Sequence, residues 1–301
     1  RRVLFRSVTI GGGSQSGNIS IAAASSFANP VTFTTSGSTI LSGNLTATGS
    51  AGITVTNGLQ VSGAARTITS STGDITLAAV DATGTAYGLT LTTTSGTINV
   101  ARVGGVAALA SLTTSAGGTT NFTGAGVTTT GAQTYNNAVT LAADNTFATT
   151  NSAIQFAGTV NSATSTPRAL TANAGTSTIT FTGAVGGSQG LGNISLTSTG
   201  TTTISSTINA AALTQNSITG TTALNGGSIT TTGAQAYGNA VTLGATLTTL
   251  STTNSNITFS STLNSTTSAR ALTLSAGSGA VSFNGIVGGT LALGAVNSTA
   301  A

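Results

Sequence analysis

The sequence is poor in the residues that most proteins use for chemistry. Its 301 residues include no Cys, His, Met or Trp, and Lys and Glu are absent as well. Charged residues make up 3% and aromatic residues 4%, whereas a typical globular domain is about 25% charged. The absence of Cys excludes disulfide bonds, and the missing His, Cys, Lys and Glu are the usual general bases, nucleophiles and metal ligands. We therefore expect no enzymatic activity, no cofactor and no metal site.

Long apolar runs are also missing. No stretch approaches the ~20 apolar residues that span a bilayer, so we expect no direct membrane insertion. Only 2 Pro interrupt the chain, which has 41 Gly and is 38% hydrophobic. Disordered chains combine low hydrophobicity with high net charge, whereas here Val, Ile, Leu and Phe recur in order with little charge between them. The composition predicts a folded chain.

The formal net charge of +4 is concentrated at the amino terminus. Three of the seven Arg residues lie within Arg1–Ser7, a heptapeptide that resembles the in-frame translation of a common sequencing adapter. If the heptapeptide is a translated adapter, residues 1–7 are not part of the native protein. The alternative is that the native sequence includes these basic residues. The remaining four Arg are nearly balanced by three Asp, so the charge carries no information about nucleic-acid or membrane partners. We expect no nucleic-acid partner. The chain lacks an initiator Met and stops inside a repeat, so we expect truncation at both ends.

Short alternating segments dominate what is present. Apolar and polar residues alternate in Val8–Ile10, Ile19–Ile21, Val139–Leu141, Ile179–Phe181 and Val281–Phe283. This is the period of a β-strand with one buried face. Clusters of Gly, Asn and Ser separate these segments, as turns require, and no segment has sustained helical spacing. The chain is predicted to be all-β.

A long internal repeat organises these strands. Residues 127–143 return as residues 229–245, with thirteen of seventeen positions identical and an offset of 102 residues. The segments that begin at Arg66, Arg168 and Arg270 have the same offset. The approximate long repeats are residues 25–126, 127–228 and 229–301.

Repetition on this scale predicts a β-solenoid in which each repeat packs on its neighbours. Strand signals return about every ten residues, so two or three strands give a coil of about 20 residues. The 102-residue repeat then holds about five coils and the chain about fifteen. Residues 8–301 are predicted to form one such solenoid, with apolar side chains stacked inward and Thr outward.

The residues of the repeat resemble a known class of proteins. The core Thr129–Leu141, the Ala-Leu-Thr segments after Arg168 and Arg270, and the two Val-Gly-Gly segments are similar to repeats of large secreted bacterial β-strand-repeat proteins, the filamentous haemagglutinin-like and autotransporter-passenger-like adhesins. The resemblance covers most of residues 27–301. It implies a right-handed parallel β-helix at the bacterial cell surface, with an adhesive or matrix role.

The charged residues are weak candidates for a site. Asp74, Asp81 and Asp144 do not recur at the same position of the repeat, so turn positions are favoured over calcium ligation or catalysis. Arg66, Arg168 and Arg270 are periodic, and we expect them on one column about five coils, or roughly 24 Å, apart. That spacing is too sparse for a phosphate-tracking stripe. Solvated residues ahead of strands are the preferred interpretation.

The aromatic residues of the repeat have two interpretations. Tyr135 and Tyr237 recur with it, and Phe27 is a further candidate counterpart. Packing beneath a turn at a coil corner is the structural interpretation, and stacking on a sugar at the surface is the functional one.

Threonine triplets suggest a second surface. Thr46–Thr48, Thr54–Thr56 and Thr90–Thr92 resemble the flat faces of ice-binding solenoids, which need such triplets on one side of successive coils. In the sequence the triplets drift and Thr is spread over all faces.

The sequence thus favours a structural or adhesive stalk segment of an extracellular bacterial surface or matrix protein. Its expected partners are host or neighbouring-cell surface glycans or proteins, and its ends are expected to self-associate. A solenoid face that binds glycan or ice is the alternative.

Overall fold

The computed structural model describes residues 6–115 and 117–300 of the chain. They fall into two compact units, Arg1–Ala143 (unit 1) and Asp144–Ala301 (unit 2). Each is a β-solenoid of parallel strands stacked in coils, with no helix in the described residues. The predicted fold class is therefore confirmed. The coils average about 22 residues and number about 13, close to the expected values of about 20 and about fifteen.

Of the predicted adapter-derived heptapeptide, residues 1–5 lie outside the described residues. Arg6 and Ser7 are exposed and precede the first strand. The predicted boundaries of the long repeats stay a prediction.

Unit 1 contains short strands, most of three to five residues. They are β1 (Val8–Gly11), β2 (Ile19–Ile21), β3 (Ser25–Phe27), β4 (Val31–Thr34), β5 (Thr39–Leu41), β6 (Leu45–Ala47), β7 (Ile53–Val55), β8 (Leu59–Val61), β9 (Arg66–Ser70), β10 (Ile75–Ala82), β11 (Gly88–Thr93), β12 (Thr97–Val103), β13 (Ser111–Thr114), β14 (Thr119–Phe122), β15 (Val127–Thr129), β16 (Gln133–Tyr135) and β17 (Ala138–Leu141).

Unit 2 is built in the same way. Its strands are β18 (Asn145–Thr149), β19 (Ile154–Phe156), β20 (Val160–Ser162), β21 (Leu170–Gly175), β22 (Ile179–Phe181), β23 (Leu191–Ser198), β24 (Thr201–Ile204), β25 (Ile208–Gln215), β26 (Thr221–Leu224), β27 (Ser228–Thr231), β28 (Gln235–Tyr237), β29 (Ala240–Leu243), β30 (Leu247–Thr252), β31 (Ile257–Phe259), β32 (Leu263–Ser265), β33 (Ala271–Gly277), β34 (Val281–Phe283) and β35 (Val296–Ala300).

Each coil of unit 1 contributes strands to three faces, on which every strand pairs in parallel with the strand of the next coil. Face a holds β1, β4, β7, β10, β12, β14 and β17. Face b holds β2, β5, β8, the second half of β10, the end of β12 and β15. Face c holds β3, β6, β9, β11, β13 and β16. Strand β10 serves two faces because its inward-outward alternation is interrupted at Ala78–Ala79.

Unit 2 also has three faces. Face d holds β18, β21, β23, the second half of β25, β28, β31 and β34. Face e holds β19, β22, β24, β26, β29 and β32. Face f holds β20, the first half of β25, β27, β30, β33 and β35, with Val185 bridging β20 to β25.

The core of each unit is a set of apolar ladders that run from coil to coil. On face a, Val31, Ile53, Ile75 and Ile98 are stacked in register and fully buried. The alternation predicted for β17 and β22 is confirmed, since Val139 and Phe181 are buried and the Thr next to each is only half-buried. Burying one side chain in two supplies the hydrophobic stabilisation of a narrow solenoid.

The long repeat does not contain a whole number of coils. At about 22 residues per coil, 102 residues make about 4.6 coils. Within unit 2, β22 lies on face e, whereas its repeat counterpart β34 lies on face d. Each copy of the repeat therefore moves its strands by one face, since the repeat holds about 4.6 coils where about five were expected.

Candidate functional surfaces

The most strongly repeated segment forms a buried hydrogen-bond network. In unit 2, the Tyr237 hydroxyl donates to Gln235 Oε1 at 3.0 Å. The Gln235 amide lies within hydrogen-bond distance of the Ile229 and Ser251 carbonyls, at 3.1 and 2.9 Å. The Thr231 hydroxyl donates to the Gly233 carbonyl at 2.6 Å. These polar side chains thus tie together neighbouring strands inside the coil.

Unit 1 has the same network at the same positions of the repeat. The Tyr135 hydroxyl donates to Gln133 Oε1 at 3.0 Å, and the Gln133 amide donates to the Val127 carbonyl at 3.1 Å. Downstream, Asn137 Oδ1 accepts from the Thr114 hydroxyl at 2.7 Å. In unit 2, Asn239 Oδ1 accepts from Thr222 at 2.8 Å.

Most buried positions of the repeated segment are identical in its two copies. The identical Gln, Tyr and second Asn point inward in both copies, and so do the identical Val and Leu. Three of the four differences, Thr134/Ala236, Asn136/Gly238 and Ala142/Gly244, lie at positions that are not buried. The repeated segment therefore contributes its Gln, Tyr and second Asn to the core, while exposed residues such as Thr128 and Thr130 are identical in the second copy as well.

Burial also controls the chemistry of the two phenols. Desolvation raises the pKa of Tyr135 and of Tyr237 well above the ordinary value of a tyrosine. Both rings are fully buried, so the proposed stacking of these rings on a surface sugar is wrong. Tyr135 packs edge-to-face on Phe122, with centroids 5.5 Å apart, and Tyr237 stacks on Phe259 at 5.1 Å.

Phe27 is not the counterpart of these tyrosines. It is half-buried in β3, on the first coil, and contacts Phe33 edge-to-face. Phe33 is buried and stands 102 residues before Tyr135. The repeat therefore aligns Phe33, rather than Phe27, with Tyr135 and Tyr237.

Each of the three Asp residues accepts a backbone hydrogen bond from a neighbouring coil. Asp74 Oδ1 accepts from the Thr97 N–H at 2.7 Å, and Asp144 Oδ1 accepts from the Ala169 N–H at 2.9 Å. Asp81 Oδ1 accepts from Val106 and Ala107, while its other oxygen lies 3.7 Å from Arg102. The structural interpretation of Asp74 as a turn residue is thus supported, because its carboxylate forms a hydrogen bond between two coils. Among the described residues, no group of three or more such side chains could hold a metal ion.

The periodic Arg residues do not form a column. Arg168 precedes β21 on face d, whereas Arg270 precedes β33 on face f. The expected common column is therefore wrong, because the repeat is not a whole number of coils. Arg66 donates from Nε to the Ser62 carbonyl at 3.0 Å, and Arg270 donates to the Thr267 hydroxyl at 3.1 Å.

One threonine array is in register, contrary to the expected drift. On face c, Thr67, Thr90, Thr113 and Thr134 are paired across four successive coils. A second column, two residues along each strand, pairs Thr46, Thr69 and Thr92. We call these seven residues the threonine ladder. Across the coils its members are ~4.8 Å apart, and along a strand they are about 6.6 Å apart.

The side chains of the ladder are available to solvent. All seven are half-buried, and in the described part of the chain none of their hydroxyls is engaged in a hydrogen bond within the protein. Thr at coil corners behaves differently: the Thr72 hydroxyl, for example, donates to the Gly49 carbonyl at 3.0 Å. A spacing of 21–23 residues between successive Thr would have shown one column in the sequence, but the assumed coil of about 20 residues hid it.

The other triplets do not extend this array. Thr54 lies on face a, paired with Thr32 and Thr76, but the column continues with Asn99 and Asn121. Thr thus does occupy several faces, as expected, but among the described residues of unit 1 only face c has two adjacent columns of Thr.

Comparison of the chain with protein-family models, with curated proteins and with solved structures finds no match in any of the three. Among the described residues, no helix has the length and apolarity needed to cross a membrane.

Proposed function

We propose that this chain is a structural or adhesive stalk segment of a large extracellular bacterial surface or matrix protein. The observation that carries the proposal is the in-register stacking of coils within each unit, seen in the buried ladder Val31, Ile53, Ile75 and Ile98. Such stacking converts sequence length into a stiff element whose stability is a sum over neighbouring coils. The resemblance of the repeats to secreted bacterial adhesins points in the same direction.

The distribution of polar groups supports a structural role. The carboxylates bond to backbone N–H groups of adjacent coils, and the buried Gln and Tyr of the repeat bond to each other. These polar groups thus serve to join neighbouring strands and coils. Adhesion then belongs to the outward surface, with surface glycans or proteins of a host or neighbouring cell as partners, and nucleic acid is not a partner.

Mechanical unfolding tests the stalk. Single molecules held by their ends should lengthen in steps of one coil or a few coils. One coil of about 22 residues releases roughly 75 Å of chain at ~3.4 Å per residue. Steps that are multiples of this length support a stalk. Unfolding of a whole unit at once, at the low forces typical of globular domains, would refute it.

The threonine ladder supports a second candidate function, the binding of ice. Branching at Cβ restricts the χ1 angle of Thr, so the ladder repeats the direction of a methyl and a hydroxyl group along a parallel sheet. A regular array of this kind can hold water molecules at repeated positions. A glycan is less favoured, because sugar binding commonly uses exposed aromatic rings and the two Tyr of the repeat are buried.

Ice-growth measurements decide between the two candidates. If the ladder binds ice, the chain should slow or shape ice growth, and Thr90→Lys in the middle of the ladder should abolish the effect. Thr180→Lys, at an outward position of face e, is the matched control and should retain it. Equal loss in both variants, or ordinary ice growth with the unmodified chain, would reject ice binding. The stalk would then be the one remaining candidate function.

A further inference from the structure

Asparagine is followed by glycine at three places in the chain, Asn57-Gly58, Asn225-Gly226 and Asn284-Gly285. Such a pair can react with itself, because the backbone nitrogen of a residue without Cβ can attack the side-chain amide carbon of the preceding asparagine with little steric hindrance. The attack requires that the nitrogen lose its proton and that the peptide turn toward the side chain. The surroundings of each pair therefore decide whether it reacts in the folded chain.

The glycine nitrogen of the first pair is free. Asn57 and Gly58 form the corner between β7 and β8, and both are half-buried. Within the described residues, no hydrogen bond engages the Gly58 N–H. The Gly58 carbonyl, in contrast, accepts from the Thr39 N–H at 2.9 Å. The Gly58 nitrogen is thus available as a nucleophile on a corner that is otherwise tied to the preceding coil.

The Asn57 side chain is held only by long contacts. Its Nδ2 donates to the Gly37 carbonyl at 3.4 Å, and its Oδ1 accepts from the Thr56 hydroxyl, also at 3.4 Å. Both distances exceed the ordinary range for hydrogen bonds of these types. The backbone also has room to turn, since a Cβ built on Gly58 meets only Ser38 Oγ, at 3.8 Å. The side-chain amide carbon can therefore approach the Gly58 nitrogen without displacing a packed neighbour.

The second pair is fixed by its neighbours. The Gly226 N–H donates to the Ile204 carbonyl at 2.9 Å. A Cβ built on Gly226 would collide with the Ser206 carbonyl, and one built on Gly244 would collide with Asn225 Oδ1. The backbone and the side chain of this pair are thus both packed against adjacent coils, and the nitrogen carries a hydrogen bond that an attack would break.

The backbone of the third pair is packed in a similar way. A Cβ built on Gly285 would collide with the backbone of Ser261, and the Asn284 N–H donates to the Phe259 carbonyl at 2.8 Å. The Gly285 peptide would have to leave the adjacent coil before its nitrogen could turn toward the side chain. Close packing thus separates the second and third pairs from the first.

We propose that Asn57-Gly58 is a modification site at which the folded chain converts its own asparagine into isoaspartate. The Gly58 nitrogen, after losing its proton to a base in the solvent, forms a bond to Asn57 Cγ, and the bond between Cγ and Nδ2 breaks with release of ammonia. One water molecule then opens the five-membered imide at either carbonyl, which gives isoaspartate or aspartate. The product carries a new carboxylate and lowers the formal net charge of +4 by one unit. This inference does not depend on the proposed stalk function.

Peptide mapping tests the site, because cleavage after Arg places the three pairs in separate peptides, residues 7–66, 169–270 and 271–301. The folded chain is incubated at mildly alkaline pH, and mass spectrometry follows the exchange of amide for carboxyl in each peptide. Asn57 should convert about tenfold faster than Asn225, a ratio that corresponds to about 1.4 kcal/mol of activation free energy. In denaturant the two rates should become similar. Equal rates in the folded chain, or a tenfold ratio that persists in denaturant, would overturn the inference.

A substitution at the attacking residue identifies the nucleophile. Gly58→Ala should slow the conversion of Asn57 about tenfold or more, because a Cβ hinders the nitrogen beside it. The fold should tolerate the change, since the φ of Gly58 lies outside the left-handed region and the space around it is open. Gly227→Ala, also in open space, is the matched control and should leave the rate at Asn57 unchanged. Conversion of Asn57 at the unmodified rate in Gly58→Ala would show that the Gly58 nitrogen does not attack and would contradict the inference.

Discussion

Phe181 and Phe283 are repeat counterparts 102 residues apart, yet they lie on different faces of unit 2. Phe181 stacks on Phe156 on face e, with ring centroids 5.1 Å apart. Phe283 stacks on Phe259 on face d, at 5.2 Å. The local packing is thus preserved while its direction changes.

The physical reason is that each coil needs about 22 residues and the repeat supplies 102. The side chains of one repeat need a particular neighbour on the adjacent coil, and any of the three faces can provide it. A residue that occurs once per repeat therefore lies on a different face from its counterpart in the next copy of the repeat. The Arg residues that the sequence suggested as one column are an example.

Substitutions at adjacent residues of β22 test the inward-outward alternation. Phe181→Asp should destabilise unit 2 by about 4 kcal/mol or more, because it removes a stacked ring and buries an unpaired charge. Thr180→Asp should change the free energy of unfolding by less than about 1 kcal/mol, since Thr180 points outward. Denaturant unfolding measures both. Similar losses in the two variants would contradict the alternation.

Removal of one phenol oxygen tests the buried network of the repeat. Tyr237→Phe should cost about 1–2 kcal/mol, because Gln235 Oε1 loses the donor at 3.0 Å inside the core. Tyr87→Phe, at a half-buried position outside the network, is the matched control and should change stability by less than about 0.5 kcal/mol. Equal stability of the two variants would show that the network contributes nothing.

Alkaline pH should unfold the chain through the same two tyrosines. Burial raises the pKa of Tyr135 and Tyr237 in the folded state, while an unfolded tyrosine has a pKa of about 10. Above that pH the unfolded state binds fewer protons than the folded state, so stability is complete below about pH 10 and falls as the pH rises further. Thermal melting across this range should show the fall. The Tyr135→Phe/Tyr237→Phe variant should show a smaller one, and an unchanged pH slope in that variant would exclude the tyrosines as its cause.

The fold class could be predicted because the alternation within single strands and the long internal repeat indicate the same fold. Alternation in segments such as Ile179–Phe181 gives strands, and Gly and Asn clusters give the turns between them. The length of the coil could not be read in the same way. Corners of variable length, such as the one before Arg168 and the one after Ala82, add residues without changing the strand pattern, so the strand spacing in the sequence is irregular and does not give the coil length.

Surface features were harder to predict than the core. Gln133 and Tyr135 repeat strongly in the sequence because the interior restricts them, which made them look like a candidate site. The threonine ladder repeats weakly, because its members are separated by 21 to 23 residues and lie among many other Thr. Only the register between β9, β11, β13 and β16 brings Thr67, Thr90, Thr113 and Thr134 together.

The closing turn of β21 provides the last test, because its geometry requires glycine. Gly175 has φ of +58°, and a Cβ built there would lie 2.2 Å from Asn151 Oδ1. That oxygen accepts a hydrogen bond from the Thr176 N–H at 3.0 Å, so it cannot move away without losing the bond between the two coils.

Gly175→Ala should therefore destabilise unit 2 by about 2–3 kcal/mol, the sum of a left-handed backbone angle for a residue with Cβ and the strain at Asn151. Gly227→Ala is the matched control, because a Cβ at Gly227 meets no atom within 4 Å, and it should cost less than about 0.5 kcal/mol. Urea unfolding of both variants measures the difference. If the two substitutions were equally tolerated, the Asn151 side chain would have to leave Thr176, and the bond between these coils would be dispensable.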